Sequence, residues 1–361
     1  MARILVGLSG GVDSAVAAAL LQQQGHDIVG AYMKNWINEE NIAGHCPWME
    51  DIEDARAVAE KLGIEFRVVN LMRDYRERVV KYLLEGYESG ITPNPDVMCN
   101  REMKFGVFLD YALDNGFEAV ATGHYCRRRS NDDGTFDLLR GVDDNKDQSY
   151  FLALVNQRQL SCARFPVGEL RKPEVRALAD ELGLPNAKKK DSQGICFIGE
   201  VKMSDFLREF VPDSPGDIVT VDGEKVGRHQ GLHLYTLGQR KGHGIASTRH
   251  GVAYVVVAKN AGRNELVVGY DELVTPGLYA SRCTLTELSF PNGELTGKVK
   301  VLAQARYRTS AEPATLTVRD DGNADLEFDE PQRALTPGQI CAIYDLRDEA
   351  LIAGSVFAEI F

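Results

Sequence analysis

The stretch Ile4-Leu5-Val6-Gly7-Leu8-Ser9-Gly10-Gly11-Val12-Asp13-Ser14 decides the fold of this chain. An apolar run leads into two adjacent glycines flanked by hydroxyls, and an Ala-rich helical run, Ala15 to Gln24, follows. Strand, glycine loop and helix in that order make an anion site. Glycine lets backbone N–H groups come close to a phosphate, and the helix N-terminus adds about half a positive charge. No Gly-Lys-Ser/Thr follows, so this is not a Walker A loop, and the spacing is not the dinucleotide-binding G-x-G-x-x-G. Gly7, Leu8, Ser9, Gly10, Gly11, Val12, Asp13 and Ser14 are the candidate nucleotide-binding residues. Asp13 is placed to hold a Mg²⁺ that bridges phosphate oxygens. The competing reading is a tight strand-to-helix turn with Ser14 as its cap.

Outward from this loop, strand and helix keep alternating. The pattern predicts strands at Ile4–Leu8, Ile28–Met33, Ile64–Val69 and Ala119–Thr122. Helices are predicted over Ser14–Gln24, Asp51–Leu62, Tyr75–Glu88 and Arg101–Asn115, with Gly25 and Gly63 at two C-terminal ends. The strands read as apolar on both faces, which implies a parallel sheet covered by helices. The fold class is α/β: a doubly wound domain whose ligands bind at the C-terminal strand ends. A hairpin turns at Asn131-Asp132-Asp133-Gly134, and a helical region broken at Lys188–Gly199 runs from Gln148 to Phe210. After Pro212, Val- and Tyr-rich runs between turns replace helices. The expected domains are 1–210 (catalytic), 211–276 (a small β-rich module) and 277–361 (a C-terminal β-barrel).

The composition bounds the function classes. In 361 residues, 44% are hydrophobic and 26% charged, as in ordinary globular proteins, and no apolar run approaches a membrane span. Met1-Ala2-Arg3 leads straight into a strand, so no signal peptide is read and a cytoplasmic location is expected. A net charge of −12 argues against non-specific nucleic-acid binding. Local basic clusters at Arg127–Arg129, Lys188–Lys190, Arg240-Lys241 and Arg306/Arg308 keep a basic face open. Each taken alone reads as a solvated surface. The seven cysteines lack any CxxC pair, so neither a disulfide framework nor a structural zinc site is expected. His45-Cys46 is the single close metal-type pair, and no metal-binding residue is assigned.

Two cysteines stand out. Cys99 follows Asn94-Pro95-Asp96-Val97-Met98 and precedes a predicted helix, whose N-terminus would favour thiolate. Cys196 lies in the basic, Gly-containing loop Lys188-Lys189-Lys190-Asp191-Ser192-Gln193-Gly194-Ile195-Cys196-Phe197. A lone cysteine is more often buried and inert, and Cys46, Cys126, Cys162, Cys283 and Cys341 keep that reading.

Ser-Gly-Gly-x-Asp-Ser resembles the loop of the PP-loop ATP pyrophosphatases, which cleave ATP between its α and β phosphates and activate an oxygen as its AMP ester. Over nearly its whole length the chain resembles the MnmA/TrmU-type tRNA 2-thiouridylases. The matching stretches are Ser9–Ser14, Thr92–Phe105, Ala121–Tyr125, Asn145–Phe151, Lys188–Gly199, Gly231–Gly242 and Arg306-Tyr307-Arg308. Asn38–Met49 matches loosely, and Gly242–Gly251 is shorter than in some relatives.

The resemblance implies ATP, with Mg²⁺, as cofactor, Met33 at the adenine and Gly123 near the ribose and phosphates. It implies adenylation of the 2-oxygen of a wobble uridine, followed by sulfur transfer from a persulfide on Cys196. Cys99 would then form a disulfide with Cys196, and Asp96 would move a proton near the uracil. It assigns Asn94, Pro95 and Asp96 to the flipped-out target base. It assigns His124, Lys146, Asp147, Gln148, Arg306, Tyr307 and Gln339 to the tRNA. The implied partners are tRNAs for Lys, Glu and Gln, and a sulfur-donor protein. The alternatives are a PP-loop ligase acting on a small molecule and a non-catalytic RNA-binding protein.

Overall fold

The computed structural model describes residues 1–36, 48–191, 202–247 and 249–361. Strands β1 (Arg3–Gly7), β2 (Asp27–Lys34), β3 (Phe66–Asn70) and β4 (Ala119–Ala121) alternate with helices. A hairpin of β5 (Cys126–Ser130) and β6 (Phe136–Arg140) follows, and then the short strand β7 (Ala163–Arg164). The parallel sheet has the order β3-β2-β1-β4-β7. The chain grows one way from β1 to β3 and then restarts on the other side of β1 with β4. That reversal falls between β1 and β4, and open α/β sheets bind ligands at the C-terminal strand ends beside such a reversal.

Alternation along β1 builds two cores. Ile4 and Val6 face α1 (Val12–Gln23), α2 (Trp48–Leu62) and the helix Lys172–Glu181, while Leu5 faces the helical runs 72–88 and 95–114. The central strands are buried on both faces, as the apolar runs predict. The edge strand β3 departs from this: Val68 is exposed, and among the described residues no strand pairs with the outer side of β3. Strand β7 was not foreseen, since two residues carry no periodicity.

Strands β8 (Gly216–Thr220), β9 (Lys225–His229), β10 (Tyr254–Asn260) and β11 (Glu265–Tyr270) form the small middle sheet, ordered β10-β11-β8-β9. Then come β12 (Tyr279–Ser289), β13 (Lys298–Gln304), β14 (Glu312–Val318), β15 (Ala324–Arg333), β16 (Ile340–Tyr344) and β17 (Ala350–Ile360). They run β12-β15-β14-β13-β16-β17, and β17 returns to β12, which closes a six-stranded barrel. The β5–β6 hairpin forms as read, but it also extends the barrel's sheet through Leu138 and Leu139 against Leu351 and Ala350.

The barrel and the α/β domain therefore share one core. Ile340, Ala342, Tyr344, Leu351 and Val356 pack in the same cluster as Met33, Cys99, Phe105 and Tyr150. Arg140 lies over the Tyr344 ring at 3.7 Å and pairs with Asp147 at 2.8 Å. The contact is tight enough that a Cβ on Gly354 of β17 would overlap the backbone of Ala153. Gly354→Ala should therefore destabilise the protein by about 2 kcal/mol, the usual scale for overpacking against a fixed backbone. An unchanged urea midpoint would show that the contact can relax at no cost.

Candidate functional site

The loop after β1 takes its shape from its glycines and from hydroxyls bonded within it. Gly10 has a φ of +79°, a conformation that favours glycine. A Cβ there would lie 2.6 Å from the Asp51 carbonyl oxygen of α2. On the other side Gly123, just past β4, touches the loop, and a Cβ on it would come within 2.7 Å of Ser14 N. The Ser14 hydroxyl donates to Gly11 O (3.0 Å) and accepts from Ser9 N (3.2 Å). The cap sits at Gly11, without a side-chain hydrogen bond, so Ser14 is not the cap. An uncapped 12-residue helix with two glycines at its mouth fits a polyphosphate. Met33 closes the floor, its Cε lying 3.2 Å from where a Gly7 Cβ would be.

Asp13 is already engaged. It accepts from Tyr125 Oη at 2.7 Å and from Lys172 Nζ at 2.8 and 2.9 Å. Lys172 also pairs with Asp191 at 2.7 Å, and Asp191 receives Lys146 at 2.6 Å and Arg176 at 2.7 Å. Asp143 accepts from Lys172 N at 2.8 Å, so carboxylates and cations alternate around the rim of the phosphate loop. Burial opposes ionisation of Asp191, but hydrogen bonds from Lys146 and Lys172 outweigh it and hold the carboxyl well below its usual range. Burial, with the Asp13 carboxylate next to it, pushes the Tyr125 hydroxyl far up, so it remains a donor. Among the described residues no cluster of three His, Cys, Asp or Glu side chains could hold a metal. With an ammonium on Asp13, these residues do not build a resident Mg²⁺ site.

Helix 95–114 forms the facing wall. Prediction started this helix at Arg101, but it begins at Pro95, with Asn94 as N-cap accepting from Val97 N at 3.2 Å. Cys99 is consequently one turn inside the helix and fully buried rather than ahead of its first turn. Asp96 lies in the first turn. His124, next to Gly123 in the chain, packs against this wall. Its ring lies 6.1 Å from Phe105 and 6.3 Å from Phe165, with Nδ1 2.7 Å from Thr122 Oγ1 and Nε2 3.5 Å from Lys104 Nζ. Cys196 and the pair His45-Cys46 lie outside the described residues.

The other expected tRNA contacts are mostly turned inward. Asp147 is buried and accepts from Arg140, Gly141 N, Ser149 N and Ser149 Oγ. Gln148 Oε1 accepts from Tyr125 N (3.0 Å). Arg306 Nη2 donates to Leu237 O, Ala334 O and Thr336 Oγ1, tying the middle module to the barrel. Tyr307 packs 4.3 Å from Phe151, and Gln339 Nε2 donates to Thr92 O at 2.7 Å. Lys146 keeps about a third of its side chain exposed. Sequence reading missed Lys172, Tyr125, Asp191 and Asn186, the last donating to Gly10 O at 2.8 Å. Their partners lie more than a hundred positions away in three of these contacts, where no local pattern reaches.

Burial, reinforced by the Lys104 charge, pushes the His124 imidazole well below its usual value. The unfolded chain protonates this histidine near about pH 6.5 while the folded protein does not, so His124 lowers stability as pH falls below that value. Between about pH 7.5 and about pH 5.5 the His124→Gln variant should lose less urea stability than the parent. Equal losses would show that the imidazole titrates normally.

Comparison with known proteins follows this division of the chain. Residues 2–200 match the family described as tRNA methyl transferase HUP domain, 204–270 the tRNA methyl transferase PRC-barrel domain, and 280–356 the aminomethyltransferase beta-barrel domain. A tRNA-specific 2-thiouridylase MnmA of Akkermansia muciniphila is 61% identical over 360 residues, covering 100% of this chain and 99% of that protein. One from Pseudomonas savastanoi pv. phaseolicola is 47% identical, covering 99% and 94%. Among solved structures, a 4-thiouridine synthetase–RNA complex with bound ATP is 18% identical, with a TM-score of 0.38, over 55% of this chain and 46% of that one. With such identity along its whole length, the chain belongs to the family of tRNA-specific 2-thiouridylases.

Proposed function

We propose that the protein is an ATP-dependent tRNA sulfurtransferase that converts the wobble uridine of tRNA to 2-thiouridine. The observation that supports this reading is the packing of the Cys99-bearing helix against the strand that carries the phosphate loop. Met33 Cε and Phe108 Cε1 lie 3.2 and 3.8 Å from where a Gly7 Cβ would be, and Cys99 is buried in the same core as Met33 and Phe108. Loop N–H groups and the α1 N-terminus would hold the ATP phosphates, with Lys172 and Lys146 adding positive charge at the rim. Mg²⁺ would arrive on the nucleotide's phosphates. The uridine 2-oxygen attacks the α-phosphorus, pyrophosphate leaves, and the base carries AMP in place of a poor leaving group.

Sulfur then replaces that oxygen. The outer sulfur of a Cys196 persulfide, loaded by a sulfur-donor protein, attacks carbon 2 and AMP leaves. Cys99 attacks the Cys196 sulfur, the persulfide S–S bond breaks, and a Cys99–Cys196 disulfide forms. An external thiol reductant supplies the two electrons that reopen it. Asp96, in the first helical turn, would move the proton at the uracil ring. A stacked wobble base cannot reach a buried thiol, so it must be turned out, with Asn94 and Pro95 beside it. The net charge of −12 supports recognition by local basic groups rather than by a general basic field. The substrates are tRNAs for Lys, Glu and Gln in the cytoplasm.

The test uses the full chain with ATP, Mg²⁺, a persulfide donor and tRNA, read as the mass of the wobble nucleoside. Cys196→Ser should lower thiolation by more than about a thousandfold while nucleotide binding persists, as for loss of a covalent nucleophile. Cys99→Ser should stall after AMP has left, with the base held on Cys196 through the transferred sulfur. Thiolation at parental rates by Cys196→Ser would remove the persulfide step. Pyrophosphate exchange driven by an amino acid and not by tRNA would replace the substrate class.

A further inference from the structure

The sequence Thr92-Pro93-Asn94-Pro95 leads into the helix that carries Asp96 and Cys99. Two of these four residues have no backbone N–H. The segment therefore has few donors of its own, and its carbonyls must find partners elsewhere. The barrel supplies them. Gln339 Nε2 donates to Thr92 O at 2.7 Å and reaches Pro93 O at 3.4 Å, and Thr92 N donates to Pro337 O at 3.0 Å. Gln339 is fixed from behind, since Phe357 N donates to its carbonyl at 2.9 Å. Gly338, at φ +87°, sits so close that a Cβ would meet Thr92 O at 3.0 Å. On the opposite side, a Cβ on Gly86 would meet Pro93 Cγ at 2.8 Å. The segment is clamped between the helix Lys81–Glu88 and the barrel loop 336–339.

We infer that Gln339 is a positioning residue for the Asp96–Cys99 turn, acting from within the barrel rather than as a contact to the RNA. Its side-chain amide is turned into the protein, onto carbonyls directly ahead of the Asn94 cap. Holding Thr92 and Pro93 fixes where the helix starts. The helix start fixes where the Asp96 carboxylate and the Cys99 thiol stand relative to the phosphate loop. The C-terminal barrel is thus part of the catalytic machinery's support.

Two variants disturb the clamp by different routes. Gln339→Glu keeps shape and loses the donor, and Gly338→Ala pushes on Thr92 without touching Gln339. The first readout needs neither ATP nor tRNA: the alkylation rate of Cys99 followed by peptide mass. It should rise on the order of tenfold in both variants while buried Cys126 and Cys283 keep their rates, as expected for loss of one hydrogen-bonded anchor. The second readout rests on the thiouridylase reading: kcat should fall on the order of tenfold with Kd for tRNA within about twofold. A raised Kd for tRNA with unchanged kcat and unchanged Cys99 alkylation would make Gln339 an RNA contact and overturn the inference. A parallel rise at all three cysteines would mean general loosening and would overturn it equally. If the parent does not thiolate tRNA, the functional reading falls while the Cys99 alkylation result still decides the clamp.

Discussion

The site depends on a shared core between the two ends of the chain. Five barrel residues, Ile340, Ala342, Tyr344, Leu351 and Val356, pack into the cluster that also buries Met33, Cys99 and Phe105. Each fully buried large apolar side chain contributes roughly 1.5–3 kcal/mol, so this contact is far stronger than any loop tether. The barrel cannot tilt without opening the core behind the helix 95–114. Polar bonds across the same boundary, Tyr150 Oη to Ile340 O and Ser149 Oγ with Tyr344 Oη, sit inside that apolar seal and fix its register. A domain that could have been an RNA-binding appendage is instead part of the support of that helix.

A second constraint is electrostatic. The helix N-terminus at the phosphate loop attracts anions, and Asp13 in its first turn satisfies part of that field. Lys172, Tyr125 and the Lys146–Asp191–Arg176 group neutralise Asp13 in turn. An arriving polyphosphate therefore meets exchangeable salt bridges rather than a bare carboxylate.

Much of the fold was legible, for reasons that residues make plain. Continuous apolar runs such as Ile4–Leu8 can only be strands buried on both faces, and glycines at 25 and 63 mark helix ends in the left-handed conformation. The start of the Cys99 helix was misplaced although its signal was present: Asn94 is a good N-cap and Pro95 a good first residue, yet two prolines read as loop. Other features had no local signal. The β5–β6 hairpin was readable, but its pairing with β17 joins residues more than two hundred positions apart. The resemblance assigns Arg306 and Gln339 to the tRNA, and a basic or amide side chain gives no local hint that it also has carbonyls of another domain as partners.

The placement of Cys99 carries the last step. It is a fully buried thiol, held by a capped helix, two prolines and the barrel. Thiol oxidation follows exposure, so a cysteine sealed in this way is protected from solvent oxidants. The turn that carries it is held at both ends, by the Asn94 cap on Val97 N and by Gln339 on Thr92 O, so the relation between Asp96 and Cys99 is set by the barrel as much as by the helix itself. Side chains whose relative position is fixed by packing and by hydrogen bonds from a neighbouring element are what a site working on defined atoms requires.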